Sequence, residues 1–285
     1  MFVGIGYLII LGSVLGGFVA AGGHVEALMQ PLEVLMIAGA AIGAFVVANG
    51  GAPLKATTKA LPTVFKGTPY NKAFYMELFT LLFEILSKVR KEGLMSVEAD
   101  VENPEASPVF SKYPAVLHDH HVVEFICDYL RLMVGGNLNA FEIENLMDVE
   151  IETHHHEGEV PVSAVKGLAD GLPAFGIVAA VMGVVHTMES VGAPPSELGM
   201  LIAHALVGTF LGILLAYGFV GPLATILEHK LGDGTRVFQT IKVTLLASLN
   251  GYAPQVAVEF GRKVLTSADR PSFKELEDHV KQAKK

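Results

Sequence analysis

All 20 lysines and arginines fall in two blocks, ten from Lys55 to Lys166 and ten from Lys230 to Lys285. The stretches 1–54 and 167–229 contain no basic side chain, and they are also where the apolar residues concentrate. A spanning helix needs roughly 20 apolar residues to cross a hydrocarbon core of about 30 Å. Four windows free of Asp, Glu, Lys and Arg meet or approach that length: 1–23, 34–53, 171–188 and 198–227. The overall composition, 51% hydrophobic and only 17% charged, follows from these windows. It sets the chain apart from a soluble domain, where about a quarter of residues are charged. The predicted fold class is an all-α polytopic membrane protein with four transmembrane helices in two hairpins and a helical cytoplasmic domain. Residues 19–21 loosely fit a signal cleavage site, but no positive segment precedes the first window, so it is expected to stay as an uncleaved helix.

The hairpins follow from connection length, because 22–33 and the segment around Ala193-Pro194-Pro195 are too short for anything but reversals. These connections carry acids (Glu26, Glu33, Glu189, Glu197) and no bases, so the positive-inside rule places them outside and both termini in the cytoplasm. The expected division is a first hairpin 1–53, a cytoplasmic helical domain 54–170, a second hairpin 171–227 and a cytoplasmic helical tail 228–285. Helical periodicity is clearest over 70–91, 115–134 and 140–155. Asn139 followed by Glu142 has the form of a capping box and predicts a helix start there.

The net charge of −9 argues against nucleic acid as a partner, which requires a basic face. One cysteine, Cys127, excludes an intrachain disulfide and a multi-thiolate metal site, and reads as an inert buried thiol. His118-Asp119-His120-His121 and His154-His155-His156 invite a metal site. Consecutive histidines on a helix point about 100° apart, however, and only one Glu-x-x-His pair (Glu152, His155) exists where a di-iron bundle needs two. Solvated histidines are the expectation; a membrane metalloenzyme using them would show stoichiometric metal. No phosphate loop or nucleophile elbow is present, so no enzyme chemistry and no cofactor are predicted.

Small residues recur every fourth position on all four windows: Gly12, Gly16, Ala20; Gly39, Gly43; Gly176, Ala180; and Gly208, Gly212, Ala216. They let backbones approach closely, either within one four-helix unit or against further copies and partner helices. No ionisable side chain is expected at mid-membrane; His186 and His204 are placed near the outer surface. A self-contained carboxylate-based ion pathway is therefore not expected, and another polypeptide would have to supply the ion-binding group. Thr209 either bonds its own preceding turn or faces a pore. Pro173 and Pro222 lie near the cytoplasmic ends of the second hairpin, as entry and exit points or as hinges.

The strings LPAFGIVAAVMGVVHTM (172–188), LIAHALVGTFLGILLAYGF (201–219), NGYAPQVAVEFGRK (250–263) and RPSF (270–273) resemble the MotA family, the larger stator subunit of the bacterial flagellar motor. GYLIILGSVLGG (6–17), ENP (102–104), DYLRL (128–132) and FEIENLMDVEIETH (141–154) extend the resemblance over nearly the whole chain. It implies an inner-membrane subunit in a pentameric ring around a MotB dimer, whose aspartate is the carboxylate this chain lacks. It further implies the proton as coupling ion, and torque applied to the rotor protein FliG. By the same resemblance Arg90 and Glu98 match rotor-facing charges, Pro173 and Pro222 the prolines that couple ion site to cytoplasm, and Thr209 and Ala180 pore-facing positions. Alanine at 180 is what proton-type members carry. The nearest alternative is an ExbB- or TolQ-like energiser of an outer-membrane system, and those relatives have three spans rather than four.

Overall fold

The computed structural model describes residues 2–283, and among them every regular element is helical. Two compact units are present, one formed by Met1–Gly67 with Gly158–His229, the other by Thr68–Glu157 with Lys230–Lys285. Their borders fall at 67/68, 157/158 and 229/230, against sequence-based divisions at 53/54, 170/171 and 227/228.

The first unit opens with α1 (Phe2–Ala20) and α2 (Pro31–Ala48), joined through Gly22 at φ +88° and a short 3₁₀ turn, Val25–Leu28. Pro31 at the start of α2 lacks an N–H that the first turn would leave unpaired anyway. α3 (Ala52–Ala60) follows. The second hairpin comprises the latter part of α8 (Ala140–Glu189), α9 (Pro195–Ile213), a π-helical segment Leu214–Val220, and the beginning of α10 (Gly221–Leu249). Four helical stretches, Phe2–Ala20, Val25–Ala48, Ala140–Glu189 and Pro195–Leu249, are long and apolar enough to cross a membrane.

Packing in this unit is sparse. α1 buries none of its side chains, and is tethered by Tyr7, whose hydroxyl donates to the Phe219 carbonyl at 2.9 Å while its ring lies tilted against that of Phe219, centroids 4.8 Å apart. α2 buries one seam, Glu33, Ile37 and Ala41, spaced by four. Ile37 and Ala41 join Leu172, Ala179 and Ala216 in a small apolar cluster. A second cluster joins Val64, Val165, Ala224 and Leu227, while much other apolar surface, including Leu8, Ile9, Val47, Ile177 and Met182, is exposed, as lipid-facing helices require.

The second unit has a core of soluble-domain type. α4 (Lys72–Glu92) buries ten side chains, and packs with α11 (Pro254–Val264), α12 (Phe273–Ala283), α7 (His120–Gly135) and the C-terminal part of α10. Asn71 caps α4 by accepting from the Phe74 N–H, and Gly93 at φ +88° ends it. The expected helix 115–134 is interrupted: a turn, α6 (Pro114–Leu117), precedes α7, and Asp119 breaks the run by capping the Val122 N–H at 3.3 Å. The capping box at 139–142 is present, with Asn139 Oδ1 accepting from Glu142 N–H and Glu142 accepting from Asn139 N–H at 2.8 Å. The helix it starts does not end near residue 155. It runs 50 residues, about 75 Å at 1.5 Å per residue, because Pro161 and Pro173 each remove one hydrogen bond without breaking it. Cys127 is buried, and burial pushes its thiol up to about 12, which leaves it unreactive at neutral pH.

Candidate functional site

In the first unit, glycines set how closely α8 and α9 approach. A Cβ on Gly212 would lie 2.7 Å from the Leu172 carbonyl oxygen and 2.9 Å from Gly176 Cα, and one on Gly176 would lie 2.9 Å from the Gly208 carbonyl oxygen. Gly183 meets Ala205 in the same way. The small-residue stripes at 176 and at 208–212 are therefore used inside this chain. Those on α1, by contrast, touch nothing: a Cβ on Gly12 or Gly16 meets open space.

Pro173 is half-buried and adjoins this contact, since its neighbour Leu172 presents the carbonyl that Gly212 receives. Without an N–H it leaves the Ala169 carbonyl unbonded within the helix, so a close helix contact borders an easily bent turn. Ala180 and Thr209 are both half-buried, on α8 and α9 on either side of the Gly208 contact. Thr187, on the same hairpin, returns its hydroxyl to the Gly183 carbonyl at 2.9 Å; Thr209 makes no such bond among the described residues.

Pro222 sits just past the π segment, and the local sequence accounts for that segment. Pro222 cannot donate to the preceding turn, and the Gly221 N–H reaches back five residues to the Ala216 carbonyl. Only glycine fits there, because a Cβ would stand 2.9 Å from that oxygen. Pro222 also lines a groove of about 640 Å³ with Lys166, Asp170, Tyr217, Glu228 and His229.

Residue 33 departs from the sequence-based picture. It is not an acid of the outer connection but the first buried side chain of α2, 9% exposed and seated against Gly208. The local sequence does not signal the seat against Gly208, because that contact joins positions far apart in the chain. A spacing of four with Ile37 and Ala41 was the available clue.

In the second unit, Arg90 and Glu98 are exposed, and neither has an ion-pair partner among the described residues. Lys91 and Glu92 beside Arg90 are exposed as well, whereas the segment under Glu98 is locked. Arg90 occupies the last turn of α4, ahead of Gly93. Glu98 opens α5 (Glu98–Glu102), which is held beneath by Asp100: buried to 4% exposure, it accepts from Lys88 Nζ at 2.7 Å and Ser107 Oγ at 2.6 Å. Arg131 of α7 clamps the far end through Glu102 and the Val101 carbonyl. Exposed charges of both signs, Arg90 and Glu98 among them, are thus presented on a fixed frame that a second macromolecule could recognise.

The histidine runs are not uniformly solvated. His154 is half-buried, with its ring edge-on to Phe238 at 4.7 Å and 5.9 Å from that of His121, and its Nδ1 has no hydrogen-bond partner among the described residues. Burial is the main cause that lowers its pKa, reinforced by His121. The cause is packing against α10, which the run itself does not reveal. Among the described residues no group of three or more His, Cys, Asp or Glu is arranged to hold a metal ion.

Comparisons with known proteins agree with this layout. Residues 4–93 match the family model for the motility protein A N-terminal region, and residues 119–240 the model for the MotA/TolQ/ExbB proton channel family. The chain is 55% identical to motility protein A of Salmonella typhimurium over 99% of its length and 95% of the relative's. It is also 55% identical to motility protein A of Escherichia coli over 100% and 96%. The solved flagellar MotAB stator complex from Bacillus subtilis superposes with a TM-score of 0.75 at 25% identity, over 96% of this chain and 97% of that one. The Campylobacter jejuni MotAB structure gives a TM-score of 0.78 at 20% identity over 94% and 97%, which bears on the fold.

Proposed function

The chain belongs to the motility protein A family, a stator proton-channel family rather than an enzyme family, and on that premise we propose how its parts convert ion flow into torque. It assembles as a pentameric ring around a dimer of MotB, which contributes the ion-carrying carboxylate. The ring lies in the cytoplasmic (inner) membrane, with 1–53 and 171–227 as its hairpins. Segments 54–170 and 228–285, with both termini, lie in the cytoplasm. Full-length likeness to motility protein A, rather than to the shared channel region alone, favours this over an ExbB- or TolQ-like energiser.

The proton passes along the α8–α9 face that carries Ala180 and Thr209. Pro173, beside the Gly212–Leu172 contact, and Pro222, beside the π segment, convert the change in charge at the ion site into bending of α8 and α10. One charge crossing about 100 mV releases about 2.3 kcal/mol, enough to bias two arrangements by more than tenfold. Arg90 and Glu98 engage charges of the opposite sign on FliG. Exposed ion pairs are worth about 0.2–1 kcal/mol, so each contact steers and then releases. The observation that carries this reading is that Arg90 and Glu98 are exposed charges of opposite sign at the two ends of a segment whose frame Lys88, Asp100 and Arg131 hold in place.

The test is motility in cells lacking their own stator, supplied with this chain and a matching MotB. Swimming restored by the parent and weakened by Arg90→Glu and Glu98→Lys, with assembly in the membrane unchanged, supports the reading. Full torque from the double reversal refutes the rotor assignment, and failure of a well-assembled parent refutes the stator assignment.

A further inference from the structure

Of the three side chains that α2 buries, Ile37 and Ala41 are what a seam between apolar helices calls for, and Glu33 is not. It is 9% exposed, and its Oε2 has no hydrogen-bond partner among the described residues. An ionised carboxyl buried without a partner is costly, so a group kept in that state is neutral or exchanges a proton with something that reaches it. The space it fills has been vacated by a glycine. A Cβ on Gly208 would lie 2.9 Å from Glu33 Oε2, 3.2 Å from Ala179 Cβ and 3.2 Å from the Ala180 nitrogen.

The carboxyl therefore sits where α2, α8 and α9 meet, over Gly208 and at the level of Ala180. Along α8 that is about 10 Å from Pro173 at 1.5 Å per residue. On α9, His204 lies one turn before Gly208 on the same face and is exposed. The remaining titratable groups on the elements around it are few. The 3₁₀ turn against α9 carries Glu26, α9 carries Glu197 in its first turn, and α8 carries none between Asp170 and His186.

We propose that Glu33 is a proton-holding station on the ion route of this chain, loaded from the outer side by way of His204. His204 accepts a proton from water and passes it to the Glu33 carboxylate, forming the carboxyl O–H. That proton leaves at the level of Ala180 and Thr209 for the carboxylate supplied by the partner subunit, and Glu33 returns to its starting charge. The proposal rests on the channel reading above. A carboxyl that merely fills the space over Gly208 would be replaced equally well by an amide of the same shape.

The experiment co-expresses the full chain with its matching MotB in stator-less cells. It measures membrane level, torque and inward proton flux as external pH is varied. Glu33→Gln is expected to assemble and to lose more than tenfold in flux, as removal of a positioned proton-transfer group does. Glu33→Asp keeps flux with a shifted pH profile, and His204→Gln moves the midpoint of that profile. Parent-like flux and an unchanged profile in Glu33→Gln, at equal membrane level, would overturn the proposal.

If Glu33→Gln fails to accumulate, the unaltered complex is treated with a carbodiimide, which adds across a protonated carboxyl. A pH-dependent adduct on Glu33, read by peptide mass spectrometry, supports the station, and its absence at every pH overturns it. A parent that gives no motility defeats the channel reading instead, and the carbodiimide result still decides the state of Glu33.

Discussion

Replacing Asp100 by alanine removes two hydrogen bonds from the frame beneath Glu98, and their sizes can be worked from their surroundings. The bond from Ser107 Oγ, 2.6 Å long, joins two buried residues, and a bond to a charged acceptor in such a place contributes about 1.5–3 kcal/mol. The bond from Lys88 Nζ is 2.7 Å, but the lysine side chain is one-third exposed, so solvent screening reduces it to about 1 kcal/mol. Together they hold the segment by about 3 kcal/mol, so its local opening becomes roughly a hundredfold more frequent. Hydrogen exchange on the full chain with its partner reads this directly in peptides covering 94–107. Asp100→Asn keeps an acceptor for Ser107, and the expected rise is only about tenfold. Exchange in that segment within about threefold of the parent in Asp100→Ala would refute the reasoning. The burial of Val97, Val101 and Phe110 would then be what fixes Glu98.

Two further perturbations test other parts of the structure. Gly212→Ala places a methyl 2.7 Å from the Leu172 carbonyl oxygen, so α8 and α9 must part; the expected cost is about 1–3 kcal/mol, seen as a lower melting temperature in lipid discs, and an unchanged melt would show the contact to be looser than described. His154, whose pKa is lowered chiefly by burial, resists protonation in the folded state, so its contribution is intact above its ordinary value of 6.5 and is lost as pH falls below it. His154→Phe is expected to flatten the fall in stability between neutral and mildly acidic pH, and denaturation on either side of 6.5 checks it.

The membrane hairpins were legible because they rest on exclusion: a stretch without lysine or arginine and long enough to span leaves few alternatives. Asn139 and Glu142 were equally legible, since a capping box is satisfied within four residues. Helix α8 was not. Its His-rich middle and Pro161 look like an interruption, yet one missing N–H per proline leaves the other hydrogen bonds of the helix in place. Asp119 shows the reverse error, a side chain that ends one turn and caps the next inside an apparently continuous pattern. Glu33 and His154 were missed for a common reason. Each acquires its environment from a residue far off in the chain, Gly208 for one and Phe238 for the other, and periodicity carries no information about that distance.

The seat of Glu33 also bears on how the chain is made. The glycine it rests on is synthesised roughly 175 residues later, and at about 5–20 residues per second that is a delay of roughly 10–35 s. Throughout that interval α2 has no α9 to cover its acidic end, and α1 offers no buried contact in compensation. The nascent first hairpin must therefore keep the start of α2 at the lipid headgroups, with its carboxyl in water, and it can settle to its final depth only when α9 arrives. Membrane insertion of the two hairpins is in this sense a single event completed late, in which the last span to emerge draws the second into place.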